Sequence, residues 1–172
     1  DQVAGIIEAS TGKIVVSTFN SGLYLIEKKN DVFLTSKIEY SNFADDILIR
    51  DVKVFDDAIW ISTLRSGLLK CKWNKKEFLV VENYHSKSGL RTDAVNTMFI
   101  DREGTLWIGT FGEGLASKRD NLFTFYFANP KELYKVKCIL ANENEIWVAN
   151  TALITVRNKH TLKELNYFNA EN

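Results

Sequence analysis

The chain has 172 residues, with 22 Lys and Arg balanced by 22 Asp and Glu, so its formal net charge is zero. This length suits one domain with a substantial core. The balanced charge argues against nucleic acid or an anionic membrane as the main partner, because both attract a positive field. No apolar run approaches the roughly 18 residues of a membrane helix, so we expect no membrane contact by this segment itself.

In chain order, one pattern recurs at residues 11–29, 56–74 and 103–121. Each copy has a short turn, an apolar-x-apolar strand, a Ser/Gly-Thr pair, a short loop and then Gly-Leu. The residues that align are the threonines Thr18, Thr63 and Thr110 and the glycines Gly22, Gly67 and Gly114. A weaker copy at 143–159 keeps Trp147 and lacks the Gly-Leu.

The repeat length of about 45 residues, with several short strands per repeat, is typical of propeller blades. In the third copy the strands read VNTMFID, TLWIGT, LASKR and LFTFYF, separated by turn residues. We therefore predict an all-β chain, a partial β-propeller of four-stranded antiparallel blades at residues 3–40, 48–84, 95–128 and 136–170. The best helical candidate, NPKELYKV after Phe127, is short and reads as a connector.

Blade geometry explains the repeated residues. Asp101 is placed to accept hydrogen bonds from turn amides, and Gly104 supplies the positive φ that closes the turn. Trp60, Trp107 and Trp147 hold the same second-strand position, where a large aromatic side chain fills the gap between adjacent blades. Val15 takes that place in the first copy.

These residues resemble the two-component regulator propeller repeat, whose pattern is Asp-x-x-Gly-x-Leu-Trp-Ile-Gly-Thr, a loop and Gly-Leu. Residues 101–115, DREGTLWIGTFGEGL, follow it almost letter for letter, and the lead-in at 83–100 supplies Tyr84, Gly89, Leu90 and Val95. The resemblance implies a periplasmic, extracytoplasmic sensor region of a bacterial hybrid two-component system, usually built from seven blades or from tandem propellers. This chain, with four repeats and no kinase motif, is then a fragment of a larger sensor.

Other chemical interpretations of the same residues are weaker. A phosphate-binding loop at GTFGEG (109–114) needs a lysine where Leu115 stands. A sialidase-type Asp-box would need an aspartate where Arg102 stands. A glycosidase or lyase would use paired carboxylates, which are available as Asp45–Asp46, Asp56–Asp57, Asp101 with Glu103, and Glu143 with Glu145. Two of these sets fall at equivalent turns between first and second strands, where we interpret them as solvated carboxylates of a hairpin. No cleft that would separate the pKa values of a catalytic pair is evident.

Metal, cofactor and disulfide chemistry have little support in the sequence. His85 and His160 are far apart and have no ligand at suitable spacing, so we expect no metal and no cofactor. Cys71 and Cys138 lie in alternating apolar stretches and read as small strand residues rather than as a disulfide.

The residues that vary between repeats are the candidates for recognition. If the first strand of each blade is innermost, the loops between second and third strands share a face with the connectors between blades. The residues on that face that could bind sugar hydroxyls, a carboxylate or a sugar ring are Phe19, Asn20, Arg65, Arg91, Phe111 and Glu113. The competing interpretation is that they are ordinary solvent-facing loop residues.

The sequence therefore favours a non-catalytic ligand-sensing segment that signals to a downstream histidine kinase. Its expected partners are an oligosaccharide or other small molecule, the remaining blades of a longer chain, and possible homodimers formed through exposed end blades. The alternatives are a protein–protein interaction scaffold and, less favoured, a carbohydrate-active enzyme.

Overall fold

The computed structural model describes residues 1–10, 12–41, 47–74, 77–119, 122–126 and 135–169. Within these ranges the chain forms seventeen β-strands and no helix, arranged as four sheets. The first sheet contains β1 (Val3–Ser10), β2 (Lys13–Thr18), β3 (Gly22–Lys29) and β4 (Val32–Ile38). The second contains β6 (Ile49–Phe55), β7 (Ala58–Thr63), β8 (Leu68–Trp73) and β9 (Phe78–Tyr84), joined at its edge by β5 (Tyr40–Ser41).

The third and fourth sheets repeat the same plan. The third contains β10 (Val95–Ile100), β11 (Leu106–Thr110), β12 (Leu115–Arg119) and β13 (Leu122–Tyr126). The fourth contains β14 (Cys138–Ala141), β15 (Glu145–Ala149), β16 (Leu153–Asn158) and β17 (Glu164–Asn169). In every sheet these four strands pair antiparallel in chain order. The predicted all-β class and the four-stranded antiparallel plan are thereby confirmed.

The second sheet differs from the prediction by its fifth strand. Strand β5 pairs parallel with β9, with Tyr40 opposite Phe78, and the Phe78 N–H donates to the Glu39 carbonyl oxygen at 3.2 Å. The connector leaving the first sheet thus covers the outer edge of the second sheet, which would otherwise expose unpaired backbone groups.

Neighbouring sheets pack face to face, and their closest contacts run through the first strands β1, β6, β10 and β14, which are therefore innermost. Three core clusters fill the three junctions. Trp60 is buried at the second junction against Val95 and Leu106, and Trp107 is buried at the third against Val136 and Ile146. No comparable packing joins β1 to β14 in the described chain, so the four sheets form an open arc.

The repeated threonine and glycine close the loop between the second and third strands. Thr63 Oγ1 donates to the Gly67 carbonyl oxygen at 2.9 Å and accepts from the Ser66 N–H at 2.8 Å. Thr18 and Thr110 make the equivalent bonds to the carbonyls of their own loop glycines. Gly67 has φ +75°, and a Cβ there would overlap the Tyr84 carbonyl oxygen, so the loop requires glycine.

Several predicted features lie outside the described residues. These are the turn at 120–121, the carboxylate pair Asp45–Asp46, and residues 129–134 of the helical candidate. Lys135 and Val136, its last two residues, have no regular secondary structure. Both cysteines are free: Cys71 is buried in β8, and Cys138 is exposed in β14.

Candidate functional site

The loops between second and third strands lie at the same end of the molecule as the inter-sheet connectors. The Ile49 N–H donates to the Phe19 carbonyl oxygen at 3.2 Å, and the Phe111 N–H donates to the Ala94 carbonyl oxygen at 2.9 Å. We call this surface the upper face. It comprises loops 19–21, 64–67, 111–114 and 150–152, with the connector segments 85–94 and 135–137.

Phe19 and Asn20 have definite partners on the upper face. The Arg50 guanidinium lies over the Phe19 ring, with Cζ 4.9 Å from the ring centroid. The Asn20 backbone N–H donates to the Asp1 carboxylate at 3.1 Å, and its side-chain amide lies 3.4 Å from the same group. The hydrogen-bonding groups of Asn20 are therefore partly used by Asp1. The Phe19 ring, in contrast, forms a cation–π pair with Arg50.

Phe111 is the second aromatic residue of this face, with about half of its area exposed (51%). The Lys135 ammonium lies 5.6 Å from its ring centroid. Glu113, in the same loop, is half-buried, and its backbone N–H donates to Thr110 Oγ1 at 3.1 Å.

The two remaining predicted residues are placed differently. Arg65 is exposed on its loop. Arg91 is also exposed, but its guanidinium packs over the ring of Phe125, on the outermost strand of the third sheet, with Cζ 4.8 Å from the centroid. Arg91 is therefore engaged with the outer edge of its own sheet.

A β-bulge at the start of each of the first three innermost strands defines a set of equivalent residues. The register shifts between Val3 and Gly5, between Ile49 and Asp51, and between Val95 and Thr97, which leaves one residue unpaired each time. The unpaired residues are Ala4, Arg50 and Asn96. In the fourth sheet Lys137 holds the equivalent place, directly before the first paired residue Cys138. A bulge redirects the extra side chain. We call these four equivalent places the bulge positions, of which Asn96 is buried and Lys137 is exposed.

The bulge positions of neighbouring sheets are in contact. Arg50 Nε and Nη2 donate to Asn96 Oδ1 at 3.0 and 2.9 Å. Asn96 is nearly buried (6% exposed), and its Nδ2 donates in turn to the Val136 carbonyl oxygen. A continuous chain of polar contacts therefore crosses the second, third and fourth sheets at the upper face.

The charge at this place is positive. Arg50, Lys135 and Lys137 form no ion pair among the described residues. The pKa of Lys135 is lowered by burial and by the neighbouring positive charges of Arg50 and Lys137. We call these three residues the basic cluster.

The sequence prediction did not include Arg50, Asn96, Lys135 or Lys137. A usable signal was present, because each bulge residue directly follows or precedes a fixed apolar position of its repeat: Ile49 before Arg50 and Val95 before Asn96. The bulges at Arg50 and Asn96 are not visible in the hydrophobic pattern.

The opposite face carries a buried ion pair that corrects one prediction. Asp101 was expected to be a solvated turn carboxylate, but its side chain is 1% exposed and lies 3.1 Å from Lys159 Nζ, which is 3% exposed. Its Oδ1 accepts the Thr105 N–H at 2.8 Å, and its Oδ2 accepts Trp107 Nε1–H at 2.8 Å. Gly104, with φ +77°, lies within this turn. Asp101 thus connects the turn, the tryptophan and the fourth sheet.

The ionisation of this pair follows from its surroundings. Burial acts to raise the pKa of Asp101, but hydrogen bonds from Trp107 and Thr105 and the Lys159 charge together lower it below its ordinary value. Burial acts to lower the pKa of Lys159, but its contacts with Asp101 and Glu103 raise it above its ordinary value. Glu103 Oε1 is also 3.1 Å from Lys159 Nζ, so the ammonium has two carboxylate partners.

Other reactive groups are placed for structure rather than chemistry. Burial raises the pKa of the Cys71 thiol to about 12, so it stays protonated and unreactive at neutral pH. Asp56 and Asp57 form a hairpin turn with φ +52° at both residues. No group of His, Cys, Asp or Glu suited to a metal ion occurs among the described residues. Nor do these residues include a helix long and apolar enough to cross a bilayer.

Comparison with known proteins finds a family match for part of the chain. Residues 89–112 match the family model of the two component regulator propeller. The match begins in the connector at Gly89, passes through β10 and β11, and ends in the upper-face loop at Gly112. A comparison with curated proteins found no match.

Three solved structures show the shared fold. The extracellular domain assigned to the one component system BT4673 from B. thetaiotaomicron aligns with a TM-score of 0.71 and 17% identity over 96% of this chain and 24% of its own. The extracellular domain assigned to the hybrid two component system BT3049 from the same organism aligns with a TM-score of 0.54 and 18% identity. The alignment covers 95% of this chain and 29% of the other. A protein assigned as a 6-phosphogluconolactonase from Bacteroides uniformis aligns with a TM-score of 0.68 and 12% identity. The alignment covers 98% of this chain and 55% of the other. This chain therefore spans about a quarter of the first structure.

Proposed function

We propose that this chain is the ligand-sensing part of a two-component system sensor, without catalytic activity of its own. The observation that carries the proposal is the match of residues 89–112 to the two component regulator propeller. The extracellular domains from B. thetaiotaomicron support it by their fold. In this proposal the segment lies outside the cytoplasm, in the periplasm, and the signal passes to a histidine kinase elsewhere in the sensor.

The ligand we propose is a small molecule or oligosaccharide bound on the upper face. Its side chains vary at equivalent backbone positions. One loop position carries Asn20, Arg65 and Gly112, the next carries Ser21, Ser66 and Glu113, and the bulge positions vary as well. Variable side chains on a repeated scaffold are the usual construction of a recognition surface. A ligand that contacts several sheets at once would favour one relative placement of those sheets, and this preference can be passed on as a population shift.

We further propose that other blades cover the two open ends of the arc. Trp147 holds the place of the buried Trp60 and Trp107, yet in the described part of the chain its ring stacks on Phe168 of its own sheet, with ring centroids 6.0 Å apart. Its neighbour Leu140 is 61% exposed. At the other end, Ile6 is 68% exposed beside Val16. The face that bears Trp147 and the face that bears Ile6 are equivalent to the two faces that pack together at each interior junction. The partner that suits each of them is therefore another blade of the same kind.

The end faces are also the observation that favours the second candidate function, a protein–protein interaction scaffold. In that case the upper face would bind no small molecule, and the end faces would carry the function. An enzymatic function is disfavoured because Asp101, the turn carboxylate with a lowered pKa, is buried in an ion pair with Lys159 and is not accessible to a substrate.

The deciding experiment is a thermal-shift screen of the chain against neutral and acidic oligosaccharides. A ligand present at 100 times its Kd should stabilise the folded state by about 2.7 kcal/mol, which is measurable as a rise in Tm. A hit should then change autophosphorylation of the kinase in the full-length sensor. Absence of any stabilisation across the screen, together with a kinase output that responds only to a protein partner, would support the scaffold instead.

A further inference from the structure

We propose that the basic cluster binds the carboxylate of an acidic sugar, so that the ligand is an oligosaccharide containing uronic acid. This inference rests on the proposed function and specifies the ligand class of the same upper face. Arg50 and Lys135 would contact the carboxylate directly, and Phe19 and Phe111 would contact the apolar faces of the sugar rings.

The first argument is the unused donor capacity of Arg50. A guanidinium carries five N–H donors in a planar fork. Arg50 uses one from Nε and one from Nη2 on the single oxygen of Asn96. Its other N–H donors, including both on Nη1, have no acceptor among the described residues. Because Asn96 and the Phe19 ring hold the guanidinium in place, the free edge is pre-organised for a planar acceptor such as a carboxylate.

The second argument is the uncompensated charge. Lys135 is half-buried and lies close enough to Arg50 and Lys137 for their charges to lower its pKa, after the larger effect of burial. The acidic residues Asp1, Asp93 and Glu113 lie on the same face but form no ion pair with these cations in the described chain. Adjacent like charges destabilise the free protein, and a bound carboxylate would relieve that repulsion.

The third argument is the arrangement of the aromatic rings. Each phenylalanine of the upper face is paired with one cation of the cluster: Phe19 with Arg50, and Phe111 with Lys135. A uronate combines a ring with apolar faces and a carboxylate at its edge, so both parts of it have a matching partner here. A neutral sugar would use the aromatic rings and leave the cations unpaired.

The fourth argument is the bulge that places these residues. At the same register position the four sheets carry Ala4, Arg50, Asn96 and Lys137, although the apolar positions beside them repeat. Packing alone would favour a similar residue at each bulge. The change from alanine to arginine, asparagine and lysine along the arc concentrates the polar groups on the second to fourth sheets.

The test is isothermal titration of the chain with short galacturonate, guluronate and glucuronate oligosaccharides. The neutral methyl ester of the tightest-binding one serves as the matched ligand. We expect the acid to bind at least about tenfold more tightly than its ester, because a charged hydrogen bond contributes about 1.5–3 kcal/mol. The variants R50Q and K135Q should each lose about tenfold or more in affinity. K72Q removes an exposed lysine of β8, outside the upper face, and should bind like the parent chain.

Each outcome decides the inference. Preference for the acid, lost in R50Q or K135Q but kept in K72Q, supports it, and circular dichroism of each variant checks that the sheets remain folded. Equal binding of acid and ester, with normal affinity in both variants, overturns the carboxylate assignment and leaves ligand sensing intact. Failure of all three uronate oligosaccharides to bind also overturns it, and the neutral members of the thermal-shift screen then decide separately whether the proposed function survives.

Discussion

Replacing Asp101 by alanine tests how much the buried ion pair between the third and fourth sheets stabilises the fold. The substitution leaves the Lys159 ammonium 3% exposed, with Glu103 as its remaining carboxylate. It also removes the acceptor for Trp107 Nε1–H and for the Thr105 N–H. Breaking a buried pair from one side costs about 3–5 kcal/mol. Because Glu103 keeps part of the pairing, we expect about 3 kcal/mol.

The assay is urea and thermal unfolding of the chain, at several protein concentrations so that association is recognised. For a chain of this size each kcal/mol shifts Tm by about 2–4 °C, so the D101A variant should melt about 6–12 °C lower. The control is E143A, in the equivalent turn of the fourth sheet, where the carboxylate side chain is 79% exposed and 3.6 Å from Arg102. The control should change stability by about 0.5 kcal/mol or less.

The same pair predicts a pH dependence. The pKa of Asp101 is lowered on folding, so its contribution is complete above the unfolded value near 3.9 and is lost as the pH falls through the folded value. The pKa of Lys159 is raised, so its contribution is complete below the unfolded value near 10.4 and is lost as the pH rises through the folded value. The stability difference between the parent chain and D101N should therefore be flat between about pH 5 and 9 and shrink on both sides.

Two results would refute this reasoning. One is a D101A variant that unfolds within about 1 kcal/mol of the parent chain. The other is a D101N/K159M double variant whose loss equals the sum of the two single losses, since contacting residues should be coupled. We expect the double variant to lose less stability than the two single variants combined, because it no longer buries an unpaired ammonium.

Three further predictions concern the ends, the loops and the upper face. The chain produced alone should self-associate in light scattering, and W147S should weaken that association; a monomeric parent chain would contradict the proposed role of the end faces. G67A should lower stability by more than about 2 kcal/mol, because the added Cβ would overlap the Tyr84 carbonyl oxygen. The control G112A, at a glycine with φ +99° and open space around it, should lower stability by about 1 kcal/mol. Similar losses for the two variants in urea unfolding would refute this prediction. Once a ligand is known, alanine at Asn20, Arg65 and Glu113 together should weaken it at least about fivefold by titration calorimetry, and unchanged affinity would exclude these loops from the site.

The strand plan could be predicted from the sequence because each repeat states it again. Alternating apolar residues give the strands, and the recurring Thr-loop-Gly pattern gives the turn between the second and third strands. Trp60 and Trp107 are buried at sheet junctions, as their repeated position suggested. A single copy, such as residues 101–115, could also be interpreted as a phosphate-binding loop or an Asp-box. Comparison among the copies is what separates fold residues from variable ones.

The site could be predicted only in part, for two physical reasons. A bulge changes the register by one residue without changing the apolar pattern, so the placement of Arg50 and Asn96 side by side at the upper face is a tertiary property. The burial of Asp101 depends on Lys159, a residue of the next sheet that is more than fifty positions away in the chain. Loop residues such as Phe19 and Phe111 were within reach, since they lie directly between repeated flanks.

The open arc has a direction. The face that bears Trp147 differs from the face that bears Ile6, so we expect two copies to meet head to tail, through unlike surfaces, as the sheets do within the chain. Such a heterologous contact leaves one free face of each kind at the ends of any assembly, and growth stops only when the accumulated rotation brings the last face back to the first. A closed ring ends the series, whereas a rotation that misses closure continues it as a helical filament. The angle between successive sheets therefore decides whether these ends produce a finite particle or a fibre.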